Sequence, residues 1–264
     1  MLTTTPTPTQ QSPTHATVLL KGVRWQTLKA LIAELSDDSA CRISYDPETL
    51  ELAISQPNQP NTQFRIVLSG LSWQTFKVLM DDVGDERAWR IAYAQGILEI
   101  RMPLQKHEQP KILLANFIEA LADELEIEVM QLGALLLERE DLTRGIEPDT
   151  CFYIQNEALV RSREINLATD PPPDLAVESD YTSSSMNKHE IYAALGVPEL
   201  WRYHQKELQI YQLVDGKYEL SVKSLAFPFL PIAEVPDFIE QSKTIGQRAA
   251  VRLFRSRIQE LLQR

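Results

Sequence analysis

Apolar positions along the chain follow two alternating periods, and the first pattern occurs twice. The stretch from Val18 repeats 48 positions later without gaps: Gly22 falls on Gly70, Trp25 on Trp73, Gln26-Thr27 on Gln74-Thr75 and Lys29 on Lys77. Arg42-Ile43 falls on Arg90-Ile91, Tyr45 on Tyr93 and Leu50-Glu51 on Leu98-Glu99. Each copy reads as a short strand, a helix opening at the Trp, and a hairpin. The turns differ, Asp46-Pro47 in the first and Gln95-Gly96 in the second. A Pro/Asn/Gln linker from Gln56 to Gln63 separates the copies. Two copies are too few for a solenoid, so they are expected to pack as a pair, with Trp25 and Trp73 in core or inter-repeat packing.

From Lys106 the period changes. Ile112, Leu113, Phe117, Leu121 and Leu125 recur at helical spacing, which predicts an amphipathic helix over 108–126. Strands are predicted at Glu128–Glu138, Glu147–Gln155 and Asp174–Ser179. Ser183-Ser184-Ser185 can cap a helix running through Tyr192 to Gly196, with Pro198 beyond it. Strands at Glu199–Tyr203 and Leu208–Val214 follow, and Asp215-Gly216 turns the chain into Tyr218–Lys223. A last helix is predicted over Thr244–Leu262, with Val251, Phe254, Ile258 and Leu261 on one face. Trp201 reads as core.

These elements divide the chain into a disordered tail (1–15), a first accessory unit (16–56), a second unit (64–103) joined to a core (104–230), and a C-terminal basic amphipathic helix (231–264). The tail holds almost no apolar residue and cannot offset the entropy of ordering. The fold class is mixed α/β.

Composition narrows the class. The chain has 264 residues, 44% of them hydrophobic, and a net charge of −11. That apolar content excludes global disorder. No apolar run reaches membrane-spanning length and no secretory signal is visible, so a cytoplasmic protein without membrane contact is expected. Cys41 and Cys151 form no zinc or disulfide pattern. The acidic total argues against nonspecific coating of nucleic acid. The segment 241–264 departs from it, with six basic residues against one Glu. Arg248, Arg252 and Arg255 share a stripe there, readable as a solvated face or as the chain's best nucleic-acid-facing candidate.

The chemistry concentrates in two Pro-Asp dipeptides, Glu147-Pro148-Asp149-Thr150 and Pro173-Asp174-Leu175-Ala176-Val177-Glu178. A carboxylate inside an apolar strand is costly unless paired or bound to a metal, which singles out Glu178. Asp174 shares its strand and face, but four residues at about 3.3 Å each separate the two by roughly 13 Å. One ion cannot bridge that gap, so Asp174 is left to orient the strand entry. Asp149, on a neighbouring strand about 4.8 Å away, can meet Glu178 if register allows. Two carboxylates suit Mg2+ (or Mn2+), which takes few protein ligands and activates a water toward a phosphoryl group. Lys188 starts the next helix and can point back toward Glu178, with Tyr192 one turn on. A surface lysine and a core-lining tyrosine are the plain alternatives.

Glu147-Pro148-Asp149, Pro173 to Glu178, Lys188-x-x-x-Tyr192 and Gly196-Val197-Pro198-Glu199-Leu200-Trp201 together resemble the Uma-two family. This is a bacterial endonuclease family of the PD-(D/E)XK restriction-endonuclease-like superfamily. The hairpin Tyr93 to Pro103 followed by His107-Glu108 is similar to it too, so the resemblance spans roughly 88–225. It implies an α-β-β-β-α-β core, Asp149 and Glu178 as metal ligands, and Lys188 as the cationic partner. It further implies that His107 and Glu99 face the site, as a proton carrier and an additional acid. The superfamily's usual lysine stands two residues after the glutamate; Asp180 is there instead, so that role must have moved to Lys188.

The leading expectation is a metal-dependent endonuclease acting on DNA more than RNA, and a possible homodimer. The alternatives are a catalytically inactive interaction or scaffold protein with the nuclease fold, or a metal-dependent hydrolase of small phosphoesters.

Overall fold

The computed structural model describes residues 14–35, 41–46, 49–56, 65–85, 87–102, 105–179 and 186–263. Most of the expected tail, the Ser183-Ser184-Ser185 cap and Asp180 lie outside the described residues. The chain is mixed α/β, with three sheets and seven α-helices among the described residues.

The two repeat units have the same topology. The first is β1 (Thr14–Lys21), α1 (Trp25–Glu34), β2 (Cys41–Asp46) and β3 (Thr49–Gln56), in sheet order β1-β3-β2. The second is β4 (Arg65–Ser69), α2 (Trp73–Val83), β5 (Arg90–Ala94) and β6 (Ile97–Arg101), in order β4-β6-β5. The tight β5–β6 turn puts Gln95 and Gly96 at φ of 50° and 83°, the doubly positive geometry that a two-residue hairpin favours. Leu20, Leu28, Leu31, Leu50 and Leu52 of one unit and Ile66, Phe76, Leu79, Leu98 and Ile100 of the other are buried in one apolar cluster. The helices are tied reciprocally. Asp82, near the end of α2, accepts from Arg24 N (2.8 Å) and Thr27 Oγ1 (2.5 Å) at the start of α1. Glu34, at the end of α1, accepts from Ser72 N and Oγ, both at 2.8 Å, at the start of α2. Positions 34 and 82 are repeat equivalents, so the pair has an internal two-fold likeness.

The second sheet continues where the first stops. Beyond β5 come β9 (Arg144–Ile146) and β8 (Leu137–Arg139), whereas β2 ends its sheet. Trp73 accordingly has Leu135–Leu137 beside it and is buried, while Trp25 is 58% exposed against Tyr45. The packing role expected for Trp25 is therefore corrected: among the described residues its sheet has no counterpart of β9 and β8.

α3 (Gln105–Leu125) leads into β7 (Met130–Gln131), then β8 and β9, β10 (Thr150–Tyr153), a turn of helix α4 (Glu157–Val160), β11 (Leu175–Glu178), α5 (Lys188–Leu195), β12 (Glu199–His204), β13 (Glu207–Val214) and β14 (Lys217–Ser221). The strand expected over Glu128–Glu138 is really two, β7 and β8, which belong to different sheets. The third sheet runs β14-β13-β12-β11-β10-β7, with β11 and β12 parallel and the other neighbours antiparallel. The helix expected over Thr244–Leu262 is α7 (Gln247–Leu262), and a second one not expected as a separate helix, α6 (Val235–Ile245), precedes it. They break at Gly246, whose φ of 87° no helix admits. α7 packs on α3, Arg255 pairing with Asp123 and Glu124, and Arg248 donating to Asn116 (3.4 Å). Two arginines of the basic stripe thus hold helices together.

Alternation sorts the third sheet's side chains. Phe152, Leu175, Val177, Trp201 and Tyr203 face α3, α6 and α7 in one core. Ala176 and Leu200 face the other way, toward Ile191, Tyr192 and Leu195 of α5, where Ala92, Ala94 and Ile146 of the second sheet complete the cluster. Glu147-Pro148-Asp149 carries the chain from β9 in one sheet to β10 in the other. Pro148 cannot donate to a ladder, so the pairing stops there. No helix of the described residues is long and apolar enough to cross a membrane.

Candidate functional site

The polar residues gather where the second and third sheets meet beneath α5. Glu178 ends β11 two residues after Ala176, so it shares the α5 face, and it is 2% exposed. Thr150 pairs with Val177 in the antiparallel ladder. The ladder ends there, and Asp149 follows as the residue before β10, next to the Glu178 end of β11. The Asp149 carboxylate is held at the strand end: Oδ2 accepts from Ser179 N at 2.7 Å and from Ser179 Oγ at 2.9 Å.

α5 supplies a cation and a phenol. Lys188, at its first position, is 8% exposed, and its Nζ donates to Glu178 Oε2 at 2.7 Å. Tyr192, one turn on and fully buried, donates to Glu178 Oε1 at 2.6 Å. Burial first, then the Glu178 charge, pushes the Tyr192 phenol well above its ordinary range, so it stays a protonated donor. A surface lysine and a tyrosine that merely lines a core are both excluded by these contacts.

β6 brings Glu99 and Arg101 to the same interior, two residues apart and therefore on one face. Glu99 has no exposed surface. Arg101 lies 3.7 Å from Glu99 Oε1 through Nε and 3.8 Å from Glu178 Oε2 through Nη1, while Nη2 donates to the Glu147 carbonyl at 3.4 Å. Arg65 of β4 reaches Glu99 Oε2 at 3.9 Å. Sequence reasoning missed Arg101. The signal was its i+2 spacing from Glu99 in a strand otherwise read as apolar alternation.

The remaining acids do other work. Glu147 pairs with Arg87 and accepts from Ile91 N at 3.1 Å. Burial raises its carboxyl, and the Arg87 charge opposes that rise. Asp174 accepts from Ile154 N (2.6 Å), Asn156 N (3.0 Å) and Asn156 Nδ2 (2.7 Å), fixing the turn after β10. Cys151 is buried beside Ala176, and burial pushes its thiol up to about 12, so it is no nucleophile. His107 falls within α3, but its side chain lies outside the described residues.

A cleft of about 280 Å³ opens beside Asp149, lined by Arg90, Lys111, Asn116, Glu119, Gln131 and Thr150 among others. Among the described residues no group of three or more His, Cys, Asp or Glu side chains is placed to hold a metal ion. The hard donors at this end of β11 are two carboxylates, Asp149 on Ser179 and Glu178 on Lys188 and Tyr192. That is the small protein contribution Mg2+ takes, the rest coming from water and phosphate. The donor set therefore fits such an ion.

A family model, Uma2, described as "Putative restriction endonuclease", matches residues 73–242, more than half the chain. The chain belongs to the Uma2 family. The Uma2 match opens at Trp73, so it takes in the second unit from α2 onward and leaves β4 and the first unit outside; it closes within α6. Glu99, His107, Asp149, Glu178 and Lys188 all fall inside it. A solved structure described as a "putative nuclease belonging to DUF820 from Anabaena variabilis ATCC 29413" is similar at 14% identity with a TM-score of 0.42, covering 69% of this chain and 99% of that one. No curated protein matches.

Proposed function

We propose that this Uma2 protein is a metal-dependent endonuclease that hydrolyses phosphodiester bonds, in DNA more than RNA. The observation that carries the reading is the meeting of Asp149, Glu178 and Lys188 at one end of β11, beside an open cleft, within a chain of an endonuclease family. The run α3, β7 to β10, β11, α5, β12 supports a restriction-endonuclease-like core of α-β-β-β-α-β type, with extra strands inserted between its first helix and β10. Residues 104–230 form that core, and the first repeat unit is an accessory packed on the second.

Asp149 and Glu178 would hold Mg2+ or Mn2+. A divalent ion there supplies a Lewis acid for the phosphoryl oxygens and an acidified water. Ser179 fixes the Asp149 carboxylate, while Tyr192 and Lys188 orient Glu178. With a divalent ion held by Glu178, the Lys188 ammonium would stand near the scissile group and stabilise developing negative charge. Glu99 is an additional acid behind Arg101, and His107 is the proton carrier the family pattern suggests. Arg90 and Lys111 in the cleft are placed to meet a phosphate backbone.

Cleavage of supercoiled plasmid with and without Mg2+ tests the reading. The wild type should nick it only with metal, and Glu178→Ala should reduce the rate at least about 100-fold. Absence of cleavage across DNA and RNA substrates with Mg2+ and Mn2+ would refute it. One observation favours a second reading, an inactive interaction protein: both Glu178 oxygens already have hydrogen-bond donors.

A further inference from the structure

The acid cluster holds a cation that the reading above leaves without a task. We infer that Arg101 is a built-in counter-ion of this cluster, which Glu178 must partly relinquish to bind a divalent ion, so that Arg101 sets the ion concentration at which the site loads. The inference rests on Asp149 and Glu178 being the ion's ligands.

Three observations support it. First, Arg101 is 3% exposed and stands at 3.7 Å from Glu99 and 3.8 Å from Glu178, inside ion-pair range but beyond hydrogen-bond distance of either. A guanidinium that locks a carboxylate does so with two short parallel bonds. This one instead neutralises two acids at arm's length, an attachment that Glu178 can exchange.

Second, the repeat provides an internal control. Glu99 and Arg101 correspond to Glu51 and Ala53 in the first unit. Glu51 is only half-buried and needs no cation, whereas Glu99 is fully enclosed. The arginine is present in the copy whose acid is fully enclosed, where it adds to the charge of Arg65.

Third, Glu178 has Lys188 at 2.7 Å as well as Arg101. An arriving ion with two positive charges meets two cations already in place, and in a dry site that repulsion lowers its affinity. Replacing Arg101 with a neutral side chain should therefore tighten binding.

Calorimetric titration of the full chain with Mn2+ alone, without nucleic acid, tests this. Wild type should show a heat that Glu178→Ala removes. Arg101→Gln should bind Mn2+ roughly tenfold more tightly or better, and Arg101→Lys, which keeps the charge, should stay within about threefold of wild type. An Arg101→Gln affinity equal to or weaker than wild type overturns the counter-ion role while leaving the ion site standing. A wild-type heat that survives Glu178→Ala refutes the ion site itself. Should Arg101→Gln be unfolded alone, saturating Mn2+ must restore its fold, because the ion replaces the missing charge; a variant that stays unfolded in Mn2+ overturns the inference.

Discussion

Glu178 is buried with a lysine, a tyrosine and an arginine around it, and each partner comes from a different local decision of the chain. Lys188 and Tyr192 reach it because i and i+4 share a helix face. Asp149 comes to the same strand end because Thr150 pairs with Val177, and its carboxylate accepts from Ser179, the neighbour of Glu178. The helix pair was legible in the sequence, since periodicity alone sets that spacing. Asp174 was legible as a residue that orients the strand entry, since it accepts from Ile154 N and Asn156 N. Arg101 was not legible. Its partner Glu178 lies 77 positions away in another sheet, and no local period reports a contact between sheets. His189 shows the opposite side of α5: its ring packs on Tyr211 (4.4 Å) and Tyr218 (5.6 Å). Burial, then the charges of Arg202 and Lys188, lower its pKa. A histidine depressed in the fold binds fewer protons there than in the unfolded chain. Its contribution is therefore present above the ordinary value near 6.5 and is lost as pH falls through the interval down to the depressed value. Urea midpoints measured at pH 7 and pH 5 should fall in wild type by more than in His189→Phe. An equal fall in both would contradict the assignment.

At the scale of elements, the repeat predicts a reciprocal tie that single residues do not. Each helix ends in an acid that caps the start of the other, joining hydrogen bonding to the favourable charge at a helix N-terminus. Glu34→Ala and Asp82→Ala should each cost about 1 kcal/mol in urea unfolding and leave Mn2+ binding unchanged; a loss of binding would place the pair in the functional site. The duplication, the hairpins and the helix over 108–126 were readable because each rests on local period and turn chemistry. Two breaks were harder to read. Gly246 falls near the start of the helix expected over 244–262, which begins only after it. The strand expected over Glu128–Glu138 spans a passage between sheets, and sheet membership is set by long-range pairing. The same holds for Trp25 and Trp73: each opens a Trp-Gln-Thr helix start, and the long-range extension of the sheet by β9 and β8 occurs beside the second alone.

For the molecule as a whole, the family match begins at Trp73, but the apolar cluster does not. Leu28, Leu31, Leu50 and Leu52 are buried against the second unit. Each such leucine is worth about 1.5–3 kcal/mol of apolar burial. A chain beginning at residue 65 should consequently lose stability and aggregate at concentrations where the full chain is dispersed, as light scattering would report. A truncated chain as stable as the full one would mean the first unit is dispensable to the fold. The central claim is that Asp149 and Glu178 jointly hold one hard cation. Its most direct test is an anomalous-difference map from crystals of the full chain soaked in Mn2+. The account predicts one peak within about 2.0–2.6 Å of an oxygen from each carboxylate. Manganese found elsewhere, with both carboxylates still turned to Ser179, Lys188 and Tyr192, would contradict it.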